Sequence, residues 1–129
     1  MPEPAPEVDR LASDVVDAAM EVHRHLGPGF LESTYEAALA IELGLRNVLF
    51  KQQRAIDLDY KGHAVGSARL DLLVGGLLVV ELKAVDALLP IHKAQVINYL
   101  KATGCELGLL INFNVALLKD GLQRIVLTT

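Results

Sequence analysis

Two strongly apolar segments constrain what this chain can fold into. The first, LLVVELKA at residues 77–84, and the second, LGLLINF at residues 107–113, are apolar at successive positions and not only at alternate ones. A strand with two apolar faces is typical of the middle of a sheet that is covered on both sides. The rest of the chain must therefore supply a covering layer for each face.

Helical patterns surround these segments. Apolar residues recur at intervals of three and four over residues 8–26, which predicts an amphipathic helix that Gly27 ends. A second helix is predicted at about 31–46, and a third from Pro90, a residue that suits the first helical turn, to about 102. The remaining strands are predicted at about residues 55–60, 64–74 and 122–127.

The order of these elements predicts the architecture. Three strands in a meander, followed by a strand–helix–strand crossover, indicate a mixed sheet flanked by helices, an α/β fold. At 129 residues the chain has the length of one domain. We assign that domain to residues 8–129 and expect the Pro-rich residues 1–7 to be a disordered tail.

Composition excludes several classes of protein. No apolar run without charges reaches the ~18 residues of a transmembrane helix, and residues 1–10 lack the pattern of a signal peptide. The lone Cys105 rules out an intramolecular disulfide and is typical of a cytoplasmic protein. A net charge of −4 argues against coating nucleic acid by bulk electrostatics, but it leaves room for a site where a metal ion supplies the positive charge.

Three charges interrupt the apolar hairpin. Glu81 and Lys83 are two residues apart on one strand and therefore share a face. A three-residue turn would place Asp71 opposite Glu81, with Cβ atoms ~5 Å apart, whereas a two-residue turn would send Glu81 to the other face. The pair Gly75-Gly76 by itself favours the two-residue turn. The sequence leaves this choice open.

If the two carboxylates face each other, their repulsion amounts to several kcal/mol at an effective dielectric near ~20. One of them must then be protonated, or a cation must lie between them. Oxygen ligands suit Mg²⁺ or Mn²⁺, and Lys83 could hold an attacking water or stabilise charge on a phosphoryl group. The alternative is an ordinary surface Glu–Lys pair beside an unrelated Asp71. The apolar flanks disfavour it, because unpaired ions in a buried strand are costly.

Two further motifs carry polar groups. Glu32 lies in the first turn of the second helix with Tyr35 three residues later. Taken alone, these residues are better explained by helix-dipole stabilisation and by a core aromatic with its hydroxyl satisfied. The third helix carries His92, Gln95 and Tyr99 on one face. Because this helix follows the Glu81–Lys83 strand, it can present that face to the end of the strand.

Together these motifs resemble a known superfamily. Asp71, the run Glu81-Leu82-Lys83 and the pattern Gln95-x-x-x-Tyr99 resemble the PD-(D/E)XK nucleases, in the RecB-like branch with a QxxxY helix. The segment GFLESTY at residues 29–35 matches the signature of the small bacterial GxxExxY proteins within that superfamily. The resemblance implies a restriction-endonuclease-like αβββαβ core with an extra N-terminal helix. One departure is Leu70, which stands where the superfamily often has proline.

The resemblance also implies roles for individual residues. Asp71, Glu81 and the backbone carbonyl of Leu82 would bind Mg²⁺ or Mn²⁺, with Glu32 helping directly or through water. Lys83 would be the catalytic lysine. The residues that would orient the site or contact the nucleic-acid backbone are Gln95, Tyr99, His92 and Tyr35.

Two functions follow as hypotheses. The first is a Mg²⁺-dependent nuclease that acts on DNA in preference to RNA, with no membrane partner and with self-association through a sheet edge or the first helix. The second is a non-catalytic nuclease-fold module that binds a protein or nucleic-acid partner, which the acidic balance and small size favour. A transition-metal site of histidines is disfavoured, because His23 and His25 are two residues apart on a helix and point in different directions.

Overall fold

The computed structural model describes residues 3–127. Its elements follow the predicted order, and the α/β architecture is confirmed. They are α1 (Pro6–Leu26), α2 (Glu32–Leu45), β1 (Phe50–Tyr60), β2 (His63–Val74), β3 (Leu78–Lys83), α3 (Pro90–Thr103), β4 (Leu107–Asn112), a 3₁₀ turn (Leu118–Gly121) and β5 (Leu122–Val126).

Two boundaries differ from the prediction. Helix α1 begins at Pro6, so Pro6 and Glu7 are helical and do not belong to a disordered tail. Proline suits this position, because the first helical residues have no intrahelical acceptor for an N–H. The N–H of Ala5 donates to the carboxylate of Glu106 at 3.0 Å, which attaches the start of α1 to the segment before β4. The parts of the predicted tail and domain at residues 1–2 and 128–129 lie outside the described residues.

Strand β1 also begins earlier, at Phe50 and not near residue 55. Its first residues lack an alternating pattern because β1 is an edge strand and most of its side chains are exposed. Period-two alternation is a weak signal for such a strand.

The sheet has the order β1-β2-β3-β4-β5. Strands β3 and β4 pair in parallel, and the other neighbours pair antiparallel. Strand β3 is therefore central, as its two apolar faces predict, and every residue of β4 is buried.

Helices cover both faces of the sheet. α1 and α2 pack on one face with Leu72, Leu82 and Phe113, and α3 packs on the other with Val79 and Leu110. This arrangement places the start of α2 and one face of α3 on opposite sides of β3. Within residues 3–127, no helix combines the length and the apolar character that a membrane crossing requires.

Strand β2 leaves β3 halfway along its length. The β2–β3 ladder covers only the pairs from Val74↔Leu78 to Leu72↔Val80, whereas β2 continues to pair with β1 as far as Tyr60↔His63. The sheet therefore opens next to Asp71, and the β1–β2 hairpin extends beyond it as a two-stranded arm.

Candidate metal centre

The turn between β2 and β3 has three residues. Val74 pairs with Leu78, so the loop consists of Gly75, Gly76 and Leu77. Both glycines have left-handed backbones, with φ of 59° and 71°. The N–H of Leu77 donates to the carbonyl of Val74 at 3.0 Å. The two-residue turn that the glycine pair favours is not formed, and the odd-length loop brings Asp71 and Glu81 to the same level of the two strands.

The carboxylates of Asp71 and Glu81 bridge the gap where the ladder ends. The N–H of Asp71 donates to Glu81 Oε1 at 2.7 Å, and the N–H of Leu82 donates to Asp71 Oδ2 at 2.8 Å. Asp71 is 8% exposed and Glu81 3%. Each buried carboxylate thus accepts a backbone N–H from the opposite strand, at a point where backbone carbonyls no longer reach across.

The two carboxylates affect each other electrostatically. Burial, and after it the negative charge of Asp71, raise the pKa of Glu81 to about 8, although the Asp71 N–H and the Lys83 ammonium oppose the rise. A group with this pKa holds a proton at neutral pH unless a cation replaces it. The pair has the electrostatic property expected of residues that bind a metal ion.

The backbone of Leu82 adds a third oxygen on the same side. Its N–H points toward β2, where Asp71 accepts it. In an extended strand the N–H and C=O of one residue point to the same side, so the Leu82 carbonyl also faces β2. The next carbonyl, that of Lys83, points the other way and accepts the N–H of Phe113 at 2.9 Å. Two carboxylates and a carbonyl form an all-oxygen set, which suits a hard cation such as Mg²⁺.

Lys83 and Glu32 lie around this pair. The charge of Lys83, at the half-buried end of β3, partly opposes the rise in pKa that burial causes in both Glu81 and Glu32. Burial raises the pKa of Glu32, with the charge of Asp71 as the second cause. Among residues 3–127, no three His, Cys, Asp or Glu side chains form a group that could hold a metal ion. Glu32 is therefore a neighbour of the pair and does not complete a cluster of three carboxylates.

One face of α3 is turned toward Glu81. Burial raises the pKa of Tyr99, the charge of Glu81 raises it further, and the Gln95 side chain opposes the rise. The predicted pair Gln95 and Tyr99 thus lies beside the candidate centre.

His92 serves α3 itself. The ring nitrogen Nδ1 of His92 accepts the backbone N–H of Leu89 at 3.0 Å. The backbone N–H of His92 donates to the Leu89 carbonyl, also at 3.0 Å. These bonds satisfy polar groups at the helix N-terminus, a capping role that the spacing of the polar face did not reveal.

Tyr35 lies in the core and not at the site. It is completely buried and stacks on Phe113 with ring centroids 4.5 Å apart. Its hydroxyl donates to the Gly27 carbonyl at 2.5 Å and accepts the Phe30 N–H at 3.2 Å. The predicted role in substrate contact is corrected: a tyrosine without exposed surface cannot contact a substrate, and Tyr35 instead fixes the loop before α2.

Two residues near the centre escaped the sequence analysis. Gln53 Nε2 donates to Asp71 Oδ1 at 3.3 Å and to Glu36 Oε1 at 2.8 Å. The side chain of Asn112 bonds both backbone groups of Val85, at 3.1 and 2.9 Å, and so fixes the chain just after β3. An amide inside the apolar β4 segment was a usable signal for Asn112, but the sequence around Gln53 contained none.

Fold and site together define a class: an α/β protein with a restriction-endonuclease-like fold and a pair of buried carboxylates where two strands diverge. A sequence profile described as the PD-(D/E)XK nuclease superfamily matches residues 9–125. The chain therefore belongs to the PD-(D/E)XK nuclease superfamily.

A solved structure and the curated proteins give further comparisons. The crystal structure of SSO0001 is similar, with a TM-score of 0.50 and 20% identity over 93% of this chain. At this identity the likeness supports the fold alone. This chain spans 60% of the length of that chain. None of the curated proteins matches significantly.

Proposed function

We propose that this protein is a metal-dependent nuclease that hydrolyses phosphodiester bonds, with DNA as the substrate. The observation that carries the proposal is the pairing of Asp71 and Glu81 across the strand gap, beside the Leu82 carbonyl. Membership of the PD-(D/E)XK superfamily supports the reaction class. The segment at residues 29–35 supports the narrower assignment to the bacterial GxxExxY proteins, and the lone buried thiol of Cys105 is consistent with the cytoplasm.

Asp71, Glu81 and the Leu82 carbonyl would hold Mg²⁺ or Mn²⁺. Such an ion, when bound, polarises a phosphate oxygen and lowers the pKa of its water. The donor set fits these ions, because all three donors are oxygens and two of them are anionic. The raised pKa of Glu81 is a second argument, since a bound cation would offset both the burial and the repulsion by Asp71 that raise it.

The chain's own side chains would supply the remaining functions. The ammonium of Lys83, on the same strand as Glu81, would orient a water or stabilise negative charge on the phosphoryl oxygens. Glu32 would assist through a water molecule, because its carboxylate lies outside a direct cluster. Gln95 and Tyr99 would donate hydrogen bonds to the nucleic-acid backbone from α3.

The test is cleavage of single-stranded DNA, double-stranded DNA and RNA in the presence of Mg²⁺ or Mn²⁺. The wild type is compared with Asp71→Asn, Lys83→Ala and the control Lys101→Ala, which removes an exposed charge from α3. We expect cleavage by the wild type and the control and none by the other two. Cleavage that survives both site substitutions would contradict the proposal.

A non-catalytic binding module is the second candidate. The net charge of −4 favours it, because an acidic surface offers little support for a long DNA footprint. In this alternative the chain would act with a protein partner or a second copy. Calorimetric titration separates the two candidates: a folded wild type that binds neither Mg²⁺ nor Mn²⁺ would favour the binding module.

A further inference from the structure

Gln53 holds an unusual backbone conformation next to the candidate centre. Its φ is +50°, in the left-handed region that residues other than glycine rarely adopt. Such strain persists only where surrounding contacts hold it, and it is concentrated at functional sites. The contacts of Gln53 therefore need an explanation.

The side chain of Gln53 joins two carboxylates. Its Nε2 donates one hydrogen to Glu36 Oε1 at 2.8 Å and the other to Asp71 Oδ1 at 3.3 Å. Because a carboxylate oxygen accepts and an amide carbonyl cannot donate, these partners fix which end of the amide faces them. Gln52 also donates to Glu36, at 3.1 Å, but not to Asp71.

The strands on both sides are irregular at this point. The β1–β2 register is the same at Gln52↔Leu72 and Arg54↔Leu70, yet Gln53 and Asp71 between them do not pair. Leu70 packs on the α3 side of the sheet and Leu72 on the α1–α2 side. Residues two apart on a regular strand share a face, so the strand reverses its faces at Asp71. This reversal accompanies the turn of the Asp71 N–H toward Glu81 Oε1.

Gln53 also connects Asp71 to helix α2 by hydrogen bonds. Glu36, which anchors the amide, lies four residues after Glu32, and residues at this spacing are neighbours on one helical face. The bridge from Glu36 through Gln53 to Asp71 therefore connects the helix that carries Glu32 with the strand that carries Asp71.

We propose that Gln53 is a positioning residue for the metal centre: it holds the Asp71 carboxylate in its ligand orientation and fixes its distance from α2. This inference rests on the proposed function, because it assumes that Asp71 binds the metal. Residues that orient a metal ligand contribute roughly 10- to 100-fold to metal affinity.

The test compares two substitutions of Gln53 with a matched control. Gln53→Met keeps the length of the side chain and removes both donors. Gln53→Gly removes the side chain but accepts the left-handed backbone without strain. The control is Gln52→Ala, which loses a bond to Glu36 and none to Asp71. For each variant, the Mn²⁺ dissociation constant is measured by calorimetry, and the urea midpoint is measured without metal.

We expect both Gln53 variants to bind Mn²⁺ about 10- to 100-fold more weakly than the wild type, and Gln52→Ala to bind within about twofold of it. The urea midpoint of Gln53→Gly should equal or exceed that of Gln53→Met, because glycine adopts the left-handed backbone without strain. The loss of Mn²⁺ affinity in Gln53→Gly would then not be explained by a loss of stability. Either Gln53 variant binding as tightly as Gln52→Ala would overturn the positioning role alone. A wild type that binds no Mn²⁺ would instead refute the proposed function.

Discussion

The backbone N–H of Asp71 donates to the Glu81 carboxylate across the gap between β2 and β3, and the Asp71 carboxylate accepts the N–H of Leu82, the residue after Glu81. These two hydrogen bonds hold the strands together beyond the last backbone pair of the ladder, Leu72↔Val80. Both side chains thus have a structural function besides any role as metal ligands. Substitutions that separate the two functions are informative.

Asp71→Asn should separate the structural function of Asp71 from its proposed role as a metal ligand. The amide oxygen of asparagine can still accept the buried Leu82 N–H, and Gln53 loses its bond to residue 71 but keeps the one to Glu36, so the variant should fold. Asp71→Ala instead leaves the Leu82 N–H without a partner at a cost of about 1–3 kcal/mol. Both variants should lose Mn²⁺ affinity by more than the roughly 10- to 100-fold typical of a residue that only orients a ligand. Calorimetry and urea unfolding measure the two effects. Asp57→Asn, at an exposed site on β1, makes the same charge change and should bind as the wild type.

Metal binding should depend on pH through Glu81. Because the pKa of Glu81 is raised to about 8, an ion must displace a proton at lower pH. The Mg²⁺ affinity should therefore rise about tenfold per pH unit up to about pH 8 and then level off. Calorimetry in two buffers of different ionisation enthalpy should detect about one released proton at pH 6.5 and almost none at pH 9. An affinity that is independent of pH would contradict a protonated Glu81.

The stability of the metal-free protein should show the opposite trend. The pKa of Glu81 is higher in the folded state than its ordinary 4.5, so its contribution is complete below about pH 4.5 and disappears as the pH rises toward about 8. The slope from one such group is at most about 1.4 kcal/mol per pH unit. Glu81→Gln should reduce this slope in urea unfolding and be more stable than the wild type at pH 8. Glu32, whose pKa burial raises as well, contributes to the slope that remains.

The sequence predicted the order of elements and the central position of β3, because periodicity and long apolar runs are local signals. It did not decide the length of the turn. The pair Gly75-Gly76 favours a two-residue loop locally, and the third residue is Leu77, which packs against the core on the α1–α2 side. A packing contact of this kind depends on residues far away in sequence.

The site was predicted in part. Asp71, Glu81 and Lys83 could be grouped from strand alternation, and in the structure the carboxylates of Asp71 and Glu81 each accept a backbone N–H from the opposite strand. Gln53 could not be found, because its importance depends on a left-handed backbone and on a partner in α2. Tyr35 was misplaced for a different reason: it belongs to the signature at residues 29–35, and a signature does not separate residues that reach the substrate from residues that hold the core.

The turn itself offers a test of how α1 supports the hairpin. Alanine at either glycine must adopt a left-handed backbone at a cost of about 1–2 kcal/mol. At Gly75 the added Cβ would also lie 2.8 Å from Leu11 Cδ1, whereas at Gly76 it meets nothing within 4 Å. Gly75→Ala should therefore be less stable than Gly76→Ala by about 1 kcal/mol in urea unfolding. In a Leu11→Ala background the difference should vanish; if it persists, Leu11 is not its cause.

Tyr35→Phe should destabilise the protein without affecting the site. The change leaves the Gly27 carbonyl and the Phe30 N–H without their partner, at a cost of about 1–3 kcal/mol, while the ring keeps its stacking on Phe113. The control is Tyr60→Phe, because Tyr60 is exposed at the end of β1. Thermal unfolding should separate the two variants, and Mn²⁺ affinity and DNA binding should stay at wild-type values in both. A Tyr35→Phe protein of unchanged stability that binds DNA more weakly would instead place the hydroxyl at the substrate, against its complete burial between α2 and Phe113.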